Sequence, residues 1–390
     1  MLKNARLAFS RIATAPDAFA RPESRLVAVD FWRGLALLMI FVDHVPAGFF
    51  CAFTPHNWGF SDAAEIFVFL AGFNAVLSFS PSFLGQGFVC GMLKVARRTW
   101  QLFCAHILLV FAGAALFAAA QPYADVTLVM HRLNFTPFFT ETGVALARLF
   151  RLAYLPNLMD ILPIYIVFIG FFPLLWLLLR LSPWLALAAS GGLWLWARLA
   201  HAGMPNYPDG TTWFFNPLAW QFIFVLGAFV FSMRAQAGRW AGNRYVLACS
   251  IAMLGASFIA AAPWTQIPAW SSYHLLPKDF VTEYDKRNLA FLRIAHFVAV
   301  AVVAYRLLPP SAAFWKSTVA NRIALCGRHS LPVYCAGVLA AIAVDIYRDT
   351  LHPGLGAIVA IEIFGLVLLL LLAVGLDRAQ RILRRANAPI

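Results

Sequence analysis

The chain has 390 residues, 62% of them hydrophobic and 12% charged, with a mean hydropathy of +0.76. A soluble domain carries roughly 25% charged residues, so water is not the main solvent of this chain. The net charge of +13 does not mark a nucleic-acid binder, because Lys and Arg stand between apolar stretches instead of forming one basic face.

The first residues hold Lys3, Arg6, Arg11, Arg21 and Arg25 without an uninterrupted apolar core. Residues 1–27 therefore read as a basic cytoplasmic tail and not as a cleaved signal peptide. Apolar windows bounded by charge, Pro and Gly then predict an all-α polytopic bundle of about ten transmembrane helices. They fall near 28–50, 61–80, 99–120, 155–179, 183–200, 213–233, 245–262, 289–308, 323–347 and 355–376. One membrane domain over 28–377 accounts for them, followed by a basic tail over 378–390. With the N-terminus inside, Lys and Arg on the inner connections outnumber those on the outer ones by more than two to one, which places both termini in the cytoplasm. The six cysteines show no CxxC spacing and mostly lie in apolar runs, so neither a metal site nor a disulfide framework is expected.

The two longest connections, 121–154 and 263–288, fall on the outer side, where long ordered loops are often functional. The outer stretch from His201 to Gln221 adds Tyr207, Trp213, Phe214, Phe215 and Trp220, whose rings could stack on sugars or form the aromatic belt of the interface.

Charged residues within the spans carry the functional information, because ionisable groups in lipid are costly. The first helix carries Asp30, Arg33, Asp43 and His44. At about 100° per residue, Arg33 and His44 differ by about 20° beyond three full turns, so they share one face about 16 Å apart along the axis. One helix thus offers an anion contact near the inner mouth and a base near the outer side. The competing reading is an Asp30–Arg33 anchor at the interface and a hydrogen-bonded core histidine. The second helix opens with Asp62 and Glu65, a capping-box spacing, and Glu65 falls at a depth where it could also orient His44. Asn157, Asp160, Asn216, Gln221, Arg293 and His296 are further outer-half polar residues that could line one pocket. Arg328 and His329 lie in the inner half of the ninth helix, where a second cation beside Arg33 suits a phosphate-rich ligand.

The blocks DFWRG (Asp30–Gly34), Asp43–Pro46, GFSDAAEIFVFLAG (Gly59–Gly72), YLPNLMDILPIYI (Tyr154–Ile166), NPLAWQFIF (Asn216–Phe224) and GRHSLPVYC (Gly327–Cys335) resemble, in this order, the OpgC family of membrane acyltransferases. That family is similar to the wider group of bacterial membrane O-acyltransferases, in which an Arg-Gly pair in the first helix precedes an essential histidine. The resemblance implies a protein of the bacterial inner membrane that takes an acyl group from a cytoplasmic acyl-CoA, succinyl-CoA in the family's known activity, to hydroxyls of a periplasmic glucan, without a metal. On that expectation His44 is the base or a transient acyl carrier, and Glu65 or Asp160 orients it. Arg33, Arg328 and His329 hold the donor. Asp43, Asp62, Asn157, Asn216, Trp220, Gln221, Arg293 and His296 contact the acceptor. The readings from other classes are a transporter, whose intramembrane charges form a solute path, and a non-catalytic membrane partner of glucan synthesis, whose polar residues only join helices.

Overall fold

The computed structural model describes residues 27–208, 210–261 and 286–386, so the N-terminal tail, most of the 263–288 connection and the last four residues lie outside the description. It is an all-α structure; among the described residues the only extended pairing is one bridge between Pro205 and Thr212. The principal helices are α1 (Val27–Asp43), α2 (Ala63–Gly85), α3 (Phe88–Ala120), α4 (Ile161–Gly170), α5 (Phe172–Leu181), α6 (Pro183–Leu199), α7 (Pro217–Ser232), α8 (Arg234–Gly242), α9 (Arg244–Ala261), α10 (Phe291–Leu307), α11 (Thr318–Arg328), α12 (Ser330–Leu351) and α13 (Leu355–Ala386).

Five of these, α2, α3, α9, α12 and α13, are long and apolar enough to cross a membrane, and up to seven spans result if the bent pairs α4–α5 and α7–α8 each count as one. Every one of the ten expected windows contains a helix, but α1, α6 and α10 have 17 residues each. Each rises about 26 Å, short of a hydrocarbon core of about 30 Å. Breaks also fall where periodicity alone does not show them. The fourth window bends by 52° at Phe171, ahead of Pro173. The ninth breaks at His329, so Arg328 ends α11 instead of sitting inside a continuous helix. Asn157 and Asp160 precede α4 rather than riding on it. The last helix continues to Ala386, so Arg378, Arg381, Arg384 and Arg385 of the basic tail are helical.

The outer surface is the inverse of a soluble protein's. Leu195, Trp196, Tyr245, Ile251, Ile259, Phe364 and Leu371 are exposed, while Glu65, Asn216 and Glu362 are completely buried. Apolar groups outward and polar groups inward is the arrangement that lipid requires. In lipid the hydrophobic effect does not drive helices together, so they associate by close packing of small residues. Two crossings depend on this. At the α1–α11 contact a Cβ on Gly34 would overlap the backbone of Ile323, and one on Gly327 would overlap the carbonyl of Asp30. At the α2–α7 contact Gly72 meets the backbone of Phe224, and Gly227 meets that of Phe69. α12 closes the bundle against α1 and α3, and α4 packs on α3.

Because backbone cannot yield as a side chain does, Gly227→Val should destabilise the protein by about 3 kcal/mol or more. Thermal unfolding of the detergent-purified variant beside Gly255→Val, where a Cβ meets open space, measures this; equal melting temperatures would contradict the close-packed crossing.

Candidate active site

Polar residues gather at the two ends of α1. At the His44 end, α1 stops at Asp43 because Pro46 cannot continue it, and Ala47 takes a left-handed conformation (φ 48°) that turns the chain. A short 3-10 turn, Phe50–Phe53, follows. Its start is held from across the bundle by Glu362 of α13, whose carboxylate accepts the N–H of Phe49 at 2.9 Å and that of Phe50 at 3.3 Å. Thr54, at the end of that turn, donates its hydroxyl to Asp43 at 2.5 Å.

Facing this turn is an ion-pair network centred on Asp62. One of its oxygens lies 2.6 Å from Lys286, 3.1 Å from Arg293 and 3.8 Å from His56. The other accepts the N–H of Ala64, and Glu65 accepts the N–H of Asp62 at 2.9 Å, so the capping box expected from the sequence is present. Glu65 is also bonded to Arg293 at 2.6 Å. Its carboxylate is thereby committed to the cap and to Arg293, and the Glu65–His44 pairing expected from the sequence is absent. The Nδ1 of His44 is buried and has no hydrogen-bond partner among the described residues, although the residue as a whole is only half-buried. Asp62 and Lys286 lie near enough to act electrostatically on both Asp43 and His44, and Lys286 and Arg287 act likewise on the buried Asp160.

Other polar residues expected to line this pocket have partners of their own. His296 receives the Ser61 N–H at 3.2 Å and lies 2.7 Å from its hydroxyl, both at Nδ1, which leaves the ring proton on Nε2. Asn216 caps α7 and donates to Ala202 and Asn288. Trp220 is fully buried and donates to the Lys286 carbonyl at 2.8 Å, so it props the network from behind and offers no stacking face. Gln221 joins α7 to Ser190 of α6. Asn157 ties its turn to the carbonyl of Arg132.

At the Arg33 end lies a cavity of about 640 Å³. Five cations line it, Arg33, Lys94, Arg97, Arg98 and Arg328, against one carboxylate, Asp30. Arg33 donates to Ser330 at 2.7 Å, and Arg328 lies 3.7 Å from Asp30 and 3.4 Å from Asp377. His329 is buried beside Asp377 at 3.8 Å and does not line the cavity. The expected pairing of Arg33 with Arg328 is present, while Lys94, Arg97 and Arg98 enter the site only in three dimensions. The cavity stops short of His44: between them α1 buries Leu37, Leu38, Ile40, Phe41 and Val42. Among the described residues no group of His, Cys, Asp or Glu is placed to hold a metal ion.

Lys286 and Glu362 carry no pattern that sequence reasoning could have used, since Lys286 is one of several charges in its connection, Glu362 interrupts an apolar run, and each lies far along the chain from the residues it serves. Arg293 should be the structural keystone and His44 should not. Arg293→Met strands the buried Glu65 carboxylate, leaves Asp62 to Lys286 and His56, and should cost about 3–5 kcal/mol, whereas His44→Ala should leave the melting temperature nearly unchanged. Thermal scans of both variants in one detergent test that contrast.

The family described as OpgC protein matches residues 25–381. No curated protein matches the chain.

Proposed function

Because the chain belongs to the OpgC family, we propose that it is a membrane acyltransferase that moves an acyl group, succinyl from succinyl-CoA, onto hydroxyls of a periplasmic glucan across the bacterial inner membrane. The observation that carries this reading is the pair of unlike polar sites at the two ends of α1, a cation-rich cavity beside Arg33 and a histidine within a charged network at His44. The excess of Lys and Arg on one set of connections supports an orientation with both termini and the Arg33 cavity on the cytoplasmic side. On the same reading α1, α6 and α10 also cross, their short helices completed by flanking chain, which brings the spans to ten.

A coenzyme A thioester is cytoplasmic and carries three phosphates. Arg33, Arg98 and Arg328 are the cations we assign to them, as guanidinium forks suit phosphate oxygens. His44 takes the proton of a sugar hydroxyl as that oxygen attacks the thioester carbonyl. The C–S bond then breaks, and the imidazolium returns the proton to the departing thiolate, giving an ester and free coenzyme A. Asp62 and Lys286 set the field around that histidine, and Glu362 with Thr54 fixes the turn that follows it. The apolar stretch from Leu37 to Val42 describes a closed state, which keeps water from the thioester until the donor arm parts the helices.

Replacing His44 by Ala should lower transfer by about 10²–10⁴-fold with unaltered protein level. Mass spectrometry of envelope glucans from a deletion strain complemented with each allele checks it. Unmodified glucan in the deletion strain and the His44→Ala strain, with the acyl mass increment restored by wild type, is the expected pattern. An increment present in the deletion strain would remove the acyltransferase reading in favour of transport or a non-catalytic role. Arg33→Ala with Arg98→Ala should instead raise the KM for the donor by about tenfold to a hundredfold, the worth of one or two charge-assisted hydrogen bonds.

A further inference from the structure

His106 is the least explained polar residue in the bundle. It sits in the middle of α3, is completely buried, and neither ring nitrogen has a hydrogen-bond partner among the described residues. Buried polar groups in folded proteins are paired in the great majority of cases, and inside lipid no bulk water stands in. A position that serves only packing would be filled better by Leu.

Its place along α3 gives the reason. Arg98 and Leu102 both line the cation-rich cavity. His106 follows Leu102 by one helical turn, about 6 Å deeper and about 40° round the axis, so Leu102 is the cavity-lining residue one turn before the imidazole on that helix. Another two turns on, Gly113 packs against Phe135 and Met159, and Met159 adjoins Asp160. Asp160 is the carboxylate on which Lys286 acts at the outer network. The buried face of α3 therefore leads from the cavity, past His106, to the far site. This course avoids the apolar stretch that α1 places between Arg33 and His44.

We propose that His106 binds an amide of the donor's pantetheine arm, which reaches it past Leu102; the inference rests on the acyl-CoA reading above. A pantetheine arm carries two secondary amides, each with one donor and one acceptor. A neutral imidazole offers the same complement in reverse. The arm would otherwise cross the bundle with its amides unpaired, at a cost that a buried, unpartnered histidine can remove.

Thermal unfolding of the full-length protein in detergent tests this with two probes, coenzyme A and adenosine 3′,5′-bisphosphate, which has phosphates but no pantetheine. The wild type should be stabilised by both and more by coenzyme A. His106→Leu should melt higher than wild type without ligand, keep its response to the bisphosphate, and bind coenzyme A about tenfold more weakly, the loss of about one hydrogen bond. His106→Gln, which retains a donor and an acceptor, should recover most of the coenzyme A response. A His106→Leu protein that binds coenzyme A as tightly as wild type would overturn the proposal and leave the donor reading intact. A wild-type protein that responds to neither probe would overturn the donor reading and this one with it. If His106→Leu does not fold, the imidazole is structural and the proposal fails.

Discussion

Arg293 bonded to both Asp62 and Glu65 is the contact on which the His44 end of the molecule depends. Each of the two carboxylates alone would be prohibitive in a medium of low dielectric constant, and each becomes tolerable because a guanidinium and the Lys286 ammonium stand against them. The four charges balance. They also come from distant parts of the chain, so their pairing aligns the start of α2 with the start of α10 and with the segment that leads into it. Trp220 then fixes Lys286 through its backbone, and His296 fixes Ser61 just ahead of Asp62. The framework around His44 is thus held by groups that do not themselves need to react.

The Arg33 end is built differently. Its cations crowd around open volume with one carboxylate in their midst, an excess of positive charge in a folded protein that favours binding an anion. One end of α1 is a balanced scaffold and the other lines open volume with more cations than carboxylates. That contrast separates this arrangement from helices joined merely by polar glue, where charge is balanced at every contact.

Much of this was legible in the residue order. The Arg33 to His44 interval and the Asp62–Glu65 box follow from helical periodicity or from local capping, and local rules survive folding; that Arg328 lies at the Arg33 end follows from the order of the apolar windows. What escaped was whatever depends on long-range closure. Glu65 was expected beside His44 because both lie at one depth, but Arg293, reached only in three dimensions, holds that carboxylate. Lys286 is one of several charges in its connection, and Glu362 is a lone charge in an apolar run. His106 reads as an ordinary interruption of a hydrophobic stretch until its missing partners are counted. Of the ten expected windows, five to seven hold helices long and apolar enough to cross, because hydropathy marks apolar length whereas α1, α6 and α10 stop at 17 residues.

The glycine contact between α1 and α11 has a mechanical corollary. Gly34 and Gly327 let two backbones touch, and such a joint cannot slide without collision. Arg33 and Arg328 therefore belong to one stiff jaw. Lys94, Arg97 and Arg98 sit on α3, which also carries His106 and meets α1 through no such glycine contact, so the two sets of cations around the cavity stand on helices that are joined differently.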